Sequence, residues 1–397
     1  MKQKQALLGA TVFTGESFVE GCAVILCENL IEGLIPQADV SSECEKIYLE
    51  GGILAPGFMD LQVNGGGGAF FTNDTSVAAL QTMLDGHRPS GTTSMLPTLI
   101  SDTRAVHQAG VHAVVEAINL GVKGILGVHI EGPFFALTRR GAHNERYIRT
   151  MEQADIDWLT RAAEGLGASN ASAHLAPAGK IMLTLAPEHT APGQIKTLVD
   201  AGLIVCAGHS DALYVDVVRA LEEGLSGFTH LYNAMRPTTG REPGVVGAAL
   251  ENKDAWCGII IDQHHVHAAS ARIAYAAKPQ GKMYLVSDAM STVGAEQKHF
   301  EIYGETIFEK NGCLVNAEGR LAGSAIGMID AVRLNTEWLG VALSESLRMA
   351  ALYPAQFMQL DNCLGRLQPG YRADLVHFTA DYKVTHTWVA GAVRIHV

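Results

Sequence analysis

A chain of 397 residues is too long for one small core, so length alone implies several domains or one large α/β barrel with additions. The composition is that of a globular protein, 48% hydrophobic and 18% charged, and a formal net charge of −12 argues against nucleic acid or anionic membrane as partners. An anionic ligand would need its own local basic pocket. No stretch approaches 18 unbroken apolar residues, so no transmembrane helix is expected. Cys22, Cys27, Cys44, Cys206, Cys257, Cys313 and Cys363 form no CxxC pair, and their number is odd. Most sit in apolar runs and read as buried free thiols in a reducing cytoplasm.

In chain order, residues 6–52 show short alternating apolar runs (6–13, 22–27, 30–35 and 47–49) divided by glycine and polar clusters. That is an all-β pattern without a helical period. The C-terminal segments 373–378, 384–389 and 392–397 look the same. The two ends together predict one small β-sandwich domain, residues 1–52 and 354–397, flanking a different middle. Within residues 53–353, strand-like runs recur at 53–63, 92–100, 124–130, 181–186, 203–207, 227–229, 256–261 and 283–286. Amphipathic stretches intervene at 76–84, 103–120, 156–163, 194–201, 214–223 and 268–277. Eight alternations in about 250 residues match the count and size of an α/β fold of the (β/α)8 TIM-barrel type. A doubly wound sheet can use as many strands. No GxGxxG follows the first run, however, and Gly65–Gly68 lacks that spacing.

In a barrel the active site forms at the C-terminal ends of the strands. The polar residues there are Gln62, Asn64, Glu131, Glu188, His189, His209, His230, Asp262, His264, His265 and Asp288. Glu131 stands at the tip of an apolar run, directly before Gly132-Pro133, which cannot continue a ladder. A buried carboxylate costs roughly several kcal/mol unless it is paired or bound to a cation. An arginine or lysine partner would satisfy a lone glutamate. His209 and His230 end two other apolar runs, and Glu/His/His at one mouth is the three-ligand pattern of a catalytic zinc-type site with a position open to water. Asp288, ending the eighth run, suits a general base and acid beside that site, or alternatively a helix N-cap.

Six motifs carry a resemblance. They are His129-Ile-Glu-Gly-Pro133, Gly141-Ala-His-Asn144, Ala207-Gly-His-Ser210, Thr229-His-Leu-Tyr-Asn-Ala-Met235, Gly240-Arg-Glu-Pro-Gly244 and Ser287-Asp-Ala289. In this order they resemble the N-acetylglucosamine-6-phosphate deacetylases of the amidohydrolase superfamily, and Ala55-Pro-Gly-Phe-Met-Asp60 resembles that superfamily's first barrel strand. The resemblance implies hydrolysis of N-acetyl-D-glucosamine 6-phosphate to D-glucosamine 6-phosphate and acetate, in cytoplasmic amino-sugar catabolism. It implies Glu131, His209 and His230 as metal ligands and Asp288 as general base and acid. His143 would polarise the acetamide carbonyl together with the metal. Asn233 and Ala234 would offer backbone N–H groups to the sugar phosphate. Arg241 and His265 would contact the phosphate from the other subunit of a homodimer, where arginine's planar fork suits phosphate oxygens. The expected cofactor is one divalent ion per subunit, Zn2+ first, with Fe2+, Mn2+ or Co2+ suited to the same donors.

The chain also departs from the pattern. Many amidohydrolases carry His-x-His on the first strand, where this chain has Gln62-Val-Asn64, and neutral amides are poor transition-metal ligands. One ion rather than two is therefore expected. Asp262-Gln-His-His-Val266 replaces a common Asp-Gly-x-His-Val, and the register favours His265 over His264 for the phosphate. Residues 165–179, rich in Ala and Ser, predict a long surface loop. Its Asn170-Ala-Ser172 has the form of a glycosylation acceptor, without meaning in a cytoplasmic chain. The rival readings are an amidohydrolase acting on a cyclic amide or another N-acyl amine, a catalytically inactive barrel scaffold, and a sugar-binding regulator that needs no Asp288.

Overall fold

The computed structural model describes residues 4–168, 179–310, 312–316 and 321–396. Eight strands form one parallel sheet in strict chain order: β1 (Phe58–Val63), β2 (Thr92–Leu99), β3 (Gly127–Glu131), β4 (Lys180–Leu185), β5 (Ile204–Ala207), β6 (Gly227–Phe228), β7 (Trp256–Ile259) and β8 (Met283–Leu285). A parallel bridge from Val63 to Ala289 brings the last strand back to the first. The expected (β/α)8 barrel is the fold observed. Its strands are buried along nearly their whole length, as strands covered by helices outside and packed side chains inside must be. Capping sets where helices start. Ser76 Oγ accepts the Ala79 N–H at 3.1 Å before Val77–His87, and Thr103 Oγ1 accepts the Val106 N–H at 3.3 Å before Arg104–Asn119.

Both chain ends build the expected small sandwich. Its four-stranded sheet runs Leu30–Pro36, Cys22–Cys27, Lys4–Leu8, Glu45–Tyr48. A six-stranded sheet joins Ala392–Ile395, Val384–Val389, Leu375–Phe378, Ile53–Pro56, Thr11–Phe13 and Phe18–Val19. Leu7, Val24, Leu26, Leu54, Leu375 and Trp388 form the core of this unit. The apolar run 53–63 is thus two strands, one in the sandwich and one in the barrel. Gly57 makes the break: its N–H donates to Asp374 O at 2.9 Å, and a Cβ there would lie 2.2 Å from Thr93 Oγ1. A buried ion pair ties sandwich to barrel, with Arg372 Nε donating to Asp374 Oδ1 at 2.9 Å and Arg372 Nη2 to Ser94 Oγ on β2 at 2.8 Å.

Four features depart from the sequence reading. A four-stranded antiparallel sheet (His299–Ile302, Glu305–Lys310, Cys313–Val315, Leu321–Ser324) follows β8 and packs Phe300, Ile302 and Leu314 against Phe70, Ile100 and Met290. The apolar segment Gly244–Glu251 is a helix. The helix Gln153–Ala168 extends into the expected loop, whose residues 169–178, including Asn170-Ala-Ser172, lie outside the described residues. All seven cysteines are free, but only Cys206 and Cys257 are buried; the other five are partly exposed on or beside the small sheets and the C-terminal segment. Among the described residues no helix is long and apolar enough to cross a membrane.

Candidate active site

Glu131 ends β3, His209 follows β5 and His230 follows β6, so three strands deliver these side chains to one mouth. Glu131 Oε1 lies 3.0 Å from His230 Nε2 and 3.4 Å from His209 Nε2, and the two imidazole nitrogens are 3.0 Å apart. Two ligand atoms each about 2.1 Å from one ion, at a tetrahedral angle, sit about 3.4 Å apart. The triangle therefore has the edges of one face of a coordination tetrahedron, and all three side chains are buried. His209 Nδ1 faces the Arg139 carbonyl at 2.9 Å, which places the ring proton there and leaves the Nε2 lone pair for a cation. Phe135 stacks on the His209 ring at 4.3 Å and fixes its plane. His230 Nδ1 is buried without a partner among the described residues. The donor set fits a divalent transition ion.

The backbone is strained where these groups leave their strands. His209 (φ 49°), His230 (φ 33°) and Asp288 (φ 54°) all adopt left-handed conformations that non-glycine residues seldom hold. Such conformations persist only where surrounding contacts enforce them, and all three residues line one cavity. Burial would raise the Glu131 pKa, but the adjoining His209 and His230 outweigh it and hold the carboxyl well below its ordinary range.

Asp288 receives two amide donors at one oxygen, Asn64 Nδ2 at 2.7 Å and Gln62 Nε2 at 3.1 Å. The same Gln62 Nε2 also donates to Glu131 Oε1 at 2.9 Å. Burial first, and the Glu131 charge second, push Asp288 up to about 7. Beneath this layer Asp60 accepts N–H groups of Gln62 and Ser287, each at 3.2 Å, and its own pKa rises with burial to about 6. The Gln62-Val-Asn64 pair thus presents amide donors to carboxylates at the place where a second set of ligands is expected in other amidohydrolases.

A cavity of about 190 Å³ opens onto these groups, lined also by His143, Asn233, Ala234, His265, Ile302 and Leu321. His143 Nε2 is 4.0 Å from Glu131 Oε2, and His143 forms a compact ligand-type cluster with Glu131 and His209, their donor atoms within 4.8 Å of one another. Its Nδ1 points away from the cavity, to Ser101. His265, not His264, faces the cavity; Asp262 Oδ2 takes its Nδ1 at 2.6 Å, while His264 is exposed. His265 lines its own chain's cavity, where the Asp262 turn folds the ring inward. Arg241 is exposed and lies off the cavity wall. The Asn233 N–H closes a turn onto His230 O at 3.0 Å, so of the two N–H groups expected at the phosphate, the Asn233 group is engaged internally. Glu188 and His189 also stand apart, with Glu188 accepting Ser210 Oγ at 2.7 Å and the Asp211 N–H at 2.6 Å. Sequence reasoning missed Ile302 and Leu321, which the inserted sheet brings to the wall, and Ser101, whose contact to His143 uses a backbone N–H.

Residues 53–394 match the amidohydrolase family, and residues 5–54 match the NagA composite domain. The chain belongs to the amidohydrolase family. Among similar amidohydrolases is the N-acetylgalactosamine-6-phosphate deacetylase of Shewanella sp. (strain ANA-3), 40% identical over 385 residues, 96% of this chain and 94% of that one. The N-acetylglucosamine-6-phosphate deacetylase of Haemophilus influenzae is 35% identical over 391 residues, 98% of each chain. The solved N-acetylglucosamine-6-phosphate deacetylase from Pasteurella multocida superposes with a TM-score of 0.93 at 34% identity, covering 99% of this chain and 100% of that one. The resemblance read from the six motifs therefore extends over the whole amidohydrolase chain.

Proposed function

We propose that this amidohydrolase removes the acetyl group of N-acetyl-D-glucosamine 6-phosphate by metal-dependent hydrolysis, giving D-glucosamine 6-phosphate and acetate, in cytoplasmic amino-sugar catabolism. The observation that carries the reading is the convergence of Glu131, His209 and His230 on one point, with Asp288 beside it in the same cavity. Glu131, His209 and His230 would hold a single divalent ion, Zn2+ by preference, with Fe2+, Mn2+ and Co2+ competing for the same donors. Such an ion supplies Lewis acidity, which makes water acidic enough to serve as hydroxide near neutral pH.

Asp288 accepts the proton of the attacking water and returns it to the departing amine, and the Gln62 and Asn64 amides hold its carboxylate in place. His143 directs a ring N–H at the acetamide oxygen, where charge develops; one such donor is worth about 3 kcal/mol in comparable sites. His265 and the Ala234 N–H bind the sugar phosphate, and that remote grip places the amide for attack. Arg241, exposed and remote from its own cavity, serves a second subunit in a homodimer.

The 40% identity to the Shewanella N-acetylgalactosamine-6-phosphate deacetylase favours a second reading, the C4 epimer as preferred substrate. Acetate release from both epimers, phosphorylated and unphosphorylated, with and without a chelator, tests the assignment. Chelator-sensitive release from N-acetyl-D-glucosamine 6-phosphate at the higher kcat/KM supports the first reading, and the reverse preference supports the second. Equal release from unphosphorylated sugars would contradict both.

A further inference from the structure

We infer that Ser101 is a positioning residue that fixes the ring proton of His143 on Nε2, so that His143 enters the cavity as a hydrogen-bond donor and not as a metal ligand. The inference deepens the deacetylase reading of the same site and rests on it only for the catalytic consequence.

Ser101 lies just past β2, with both its backbone and its side chain turned to His143. Its N–H points at His143 Nδ1 at 3.2 Å, and its Oγ lies 2.8 Å from the same nitrogen. The hydroxyl fits either tautomer, because it can donate or accept. The amide cannot: a proton on Nδ1 would oppose the Ser101 N–H, so Nδ1 must be the acceptor. A neutral imidazole with an accepting Nδ1 carries its proton on Nε2. That nitrogen is the one facing the cavity, 4.0 Å from Glu131 Oε2. A protonated nitrogen has no lone pair for a cation, which separates His143 from His209, where the Arg139 carbonyl enforces the opposite tautomer.

The pairing is held from three sides. Tyr303, from the inserted sheet, donates its hydroxyl to the Ser101 carbonyl. The preceding peptide is fixed by the Ile100 N–H on Thr72 Oγ1 at 3.0 Å. Gly132, at φ +92°, leaves room for the serine, since a Cβ there would come 2.3 Å from Ser101 Oγ. Phe135 meets the His143 ring edge-on at 5.0 Å and limits its rotation. Ser101 is itself fully buried, so bulk water offers no competing partner.

The test is the nitrogen spectrum of the ¹⁵N-histidine-labelled, zinc-loaded protein, with His143 assigned by the signal missing from a His143→Asn sample. An unprotonated Nδ1 and a protonated Nε2 are expected, and the reverse pattern overturns the inference. The spectrum needs no substrate, so it stays decisive even if no acetamido sugar is turned over. In Ser101→Ala the hydroxyl is lost and the ring loosens. kcat on the best phosphosugar should fall about 10-fold, with KM and zinc content within twofold of wild type. A kcat within twofold of wild type would remove the hydroxyl, though not the backbone N–H that Ser101→Ala retains, from the positioning of His143, and loss of zinc in step with activity would show that Ser101 does not act through His143.

Discussion

Glu131 and Asp288 share one amide donor, Gln62 Nε2, at 2.9 and 3.1 Å. Two buried carboxylates repel each other, and a common donor offsets part of that repulsion without a second cation. Gln62→Leu leaves two buried acceptors short of a bond, a loss of about 1–3 kcal/mol. Urea unfolding of the metal-free variant should show that loss, whereas unchanged stability would mean that the shared donor is idle.

Asp288→Asn keeps the shape of the side chain and removes its basicity. The variant should retain its metal, since Asp288 is not among the Glu131, His209 and His230 donors, while kcat drops by about 10²–10⁴-fold. The pH dependence follows from the same carboxyl. Without a cation, burial and Glu131 hold Asp288 at about 7; a bound divalent ion adds positive charge and lowers that value. The base must be ionised, so kcat/KM of the loaded wild type should fall as pH drops through a pKa below about 7. A flat profile down to pH 5 would remove Asp288 from the proton transfer.

Asp155 gives a pH effect remote from the chemistry. Burial alone would raise its pKa, but Arg149 Nη2 at 2.7 Å and Arg104 Nε at 2.8 Å outweigh it and hold the carboxyl at about 2. A carboxyl depressed from 3.8 in the unfolded chain stabilises the fold fully above that value, and the contribution disappears as pH falls through about 2. Wild type should exceed Asp155→Asn by about 1–2 kcal/mol near neutrality, a discounted figure because both arginines are about one-third exposed. The difference should shrink between pH 4 and 2. A difference that is constant with pH would assign the effect to packing instead of charge.

Arg372→Met leaves Asp374 charged and buried without its cation, where the sandwich meets β2. Breaking one side of such a pair costs about 3–5 kcal/mol. Thermal unfolding should shift accordingly, and the Arg372→Met/Asp374→Leu double variant should recover part of the loss. A double variant as unstable as the single one would contradict a charge-based cause.

The barrel and the strand ends that carry Glu131, His209 and His230 were legible because their signals are local. Apolar runs ending in Glu131, His209 and His230 each announce a strand end with a metal-type donor. The inserted sheet was less legible, because Phe300, Ile302 and Leu314 find half of their core in Phe70, Ile100 and Met290, far away in sequence. Gly244–Glu251 is buried on nearly every side, so it shows no amphipathic period. That His265 lines its own chain's cavity was not legible, since no spacing records that Asp262 folds the ring inward. Ser101 acts partly through a peptide N–H, which leaves no mark on residue type.

The central claim is that Glu131, His209 and His230 hold one divalent ion while His143 does not. Metal content by mass spectrometry on purified wild type, His230→Ala and His143→Ala measures this directly. About one ion per chain is predicted in wild type and His143→Ala, and close to none in His230→Ala. Retention of the ion by His230→Ala together with its loss from His143→Ala would contradict the account.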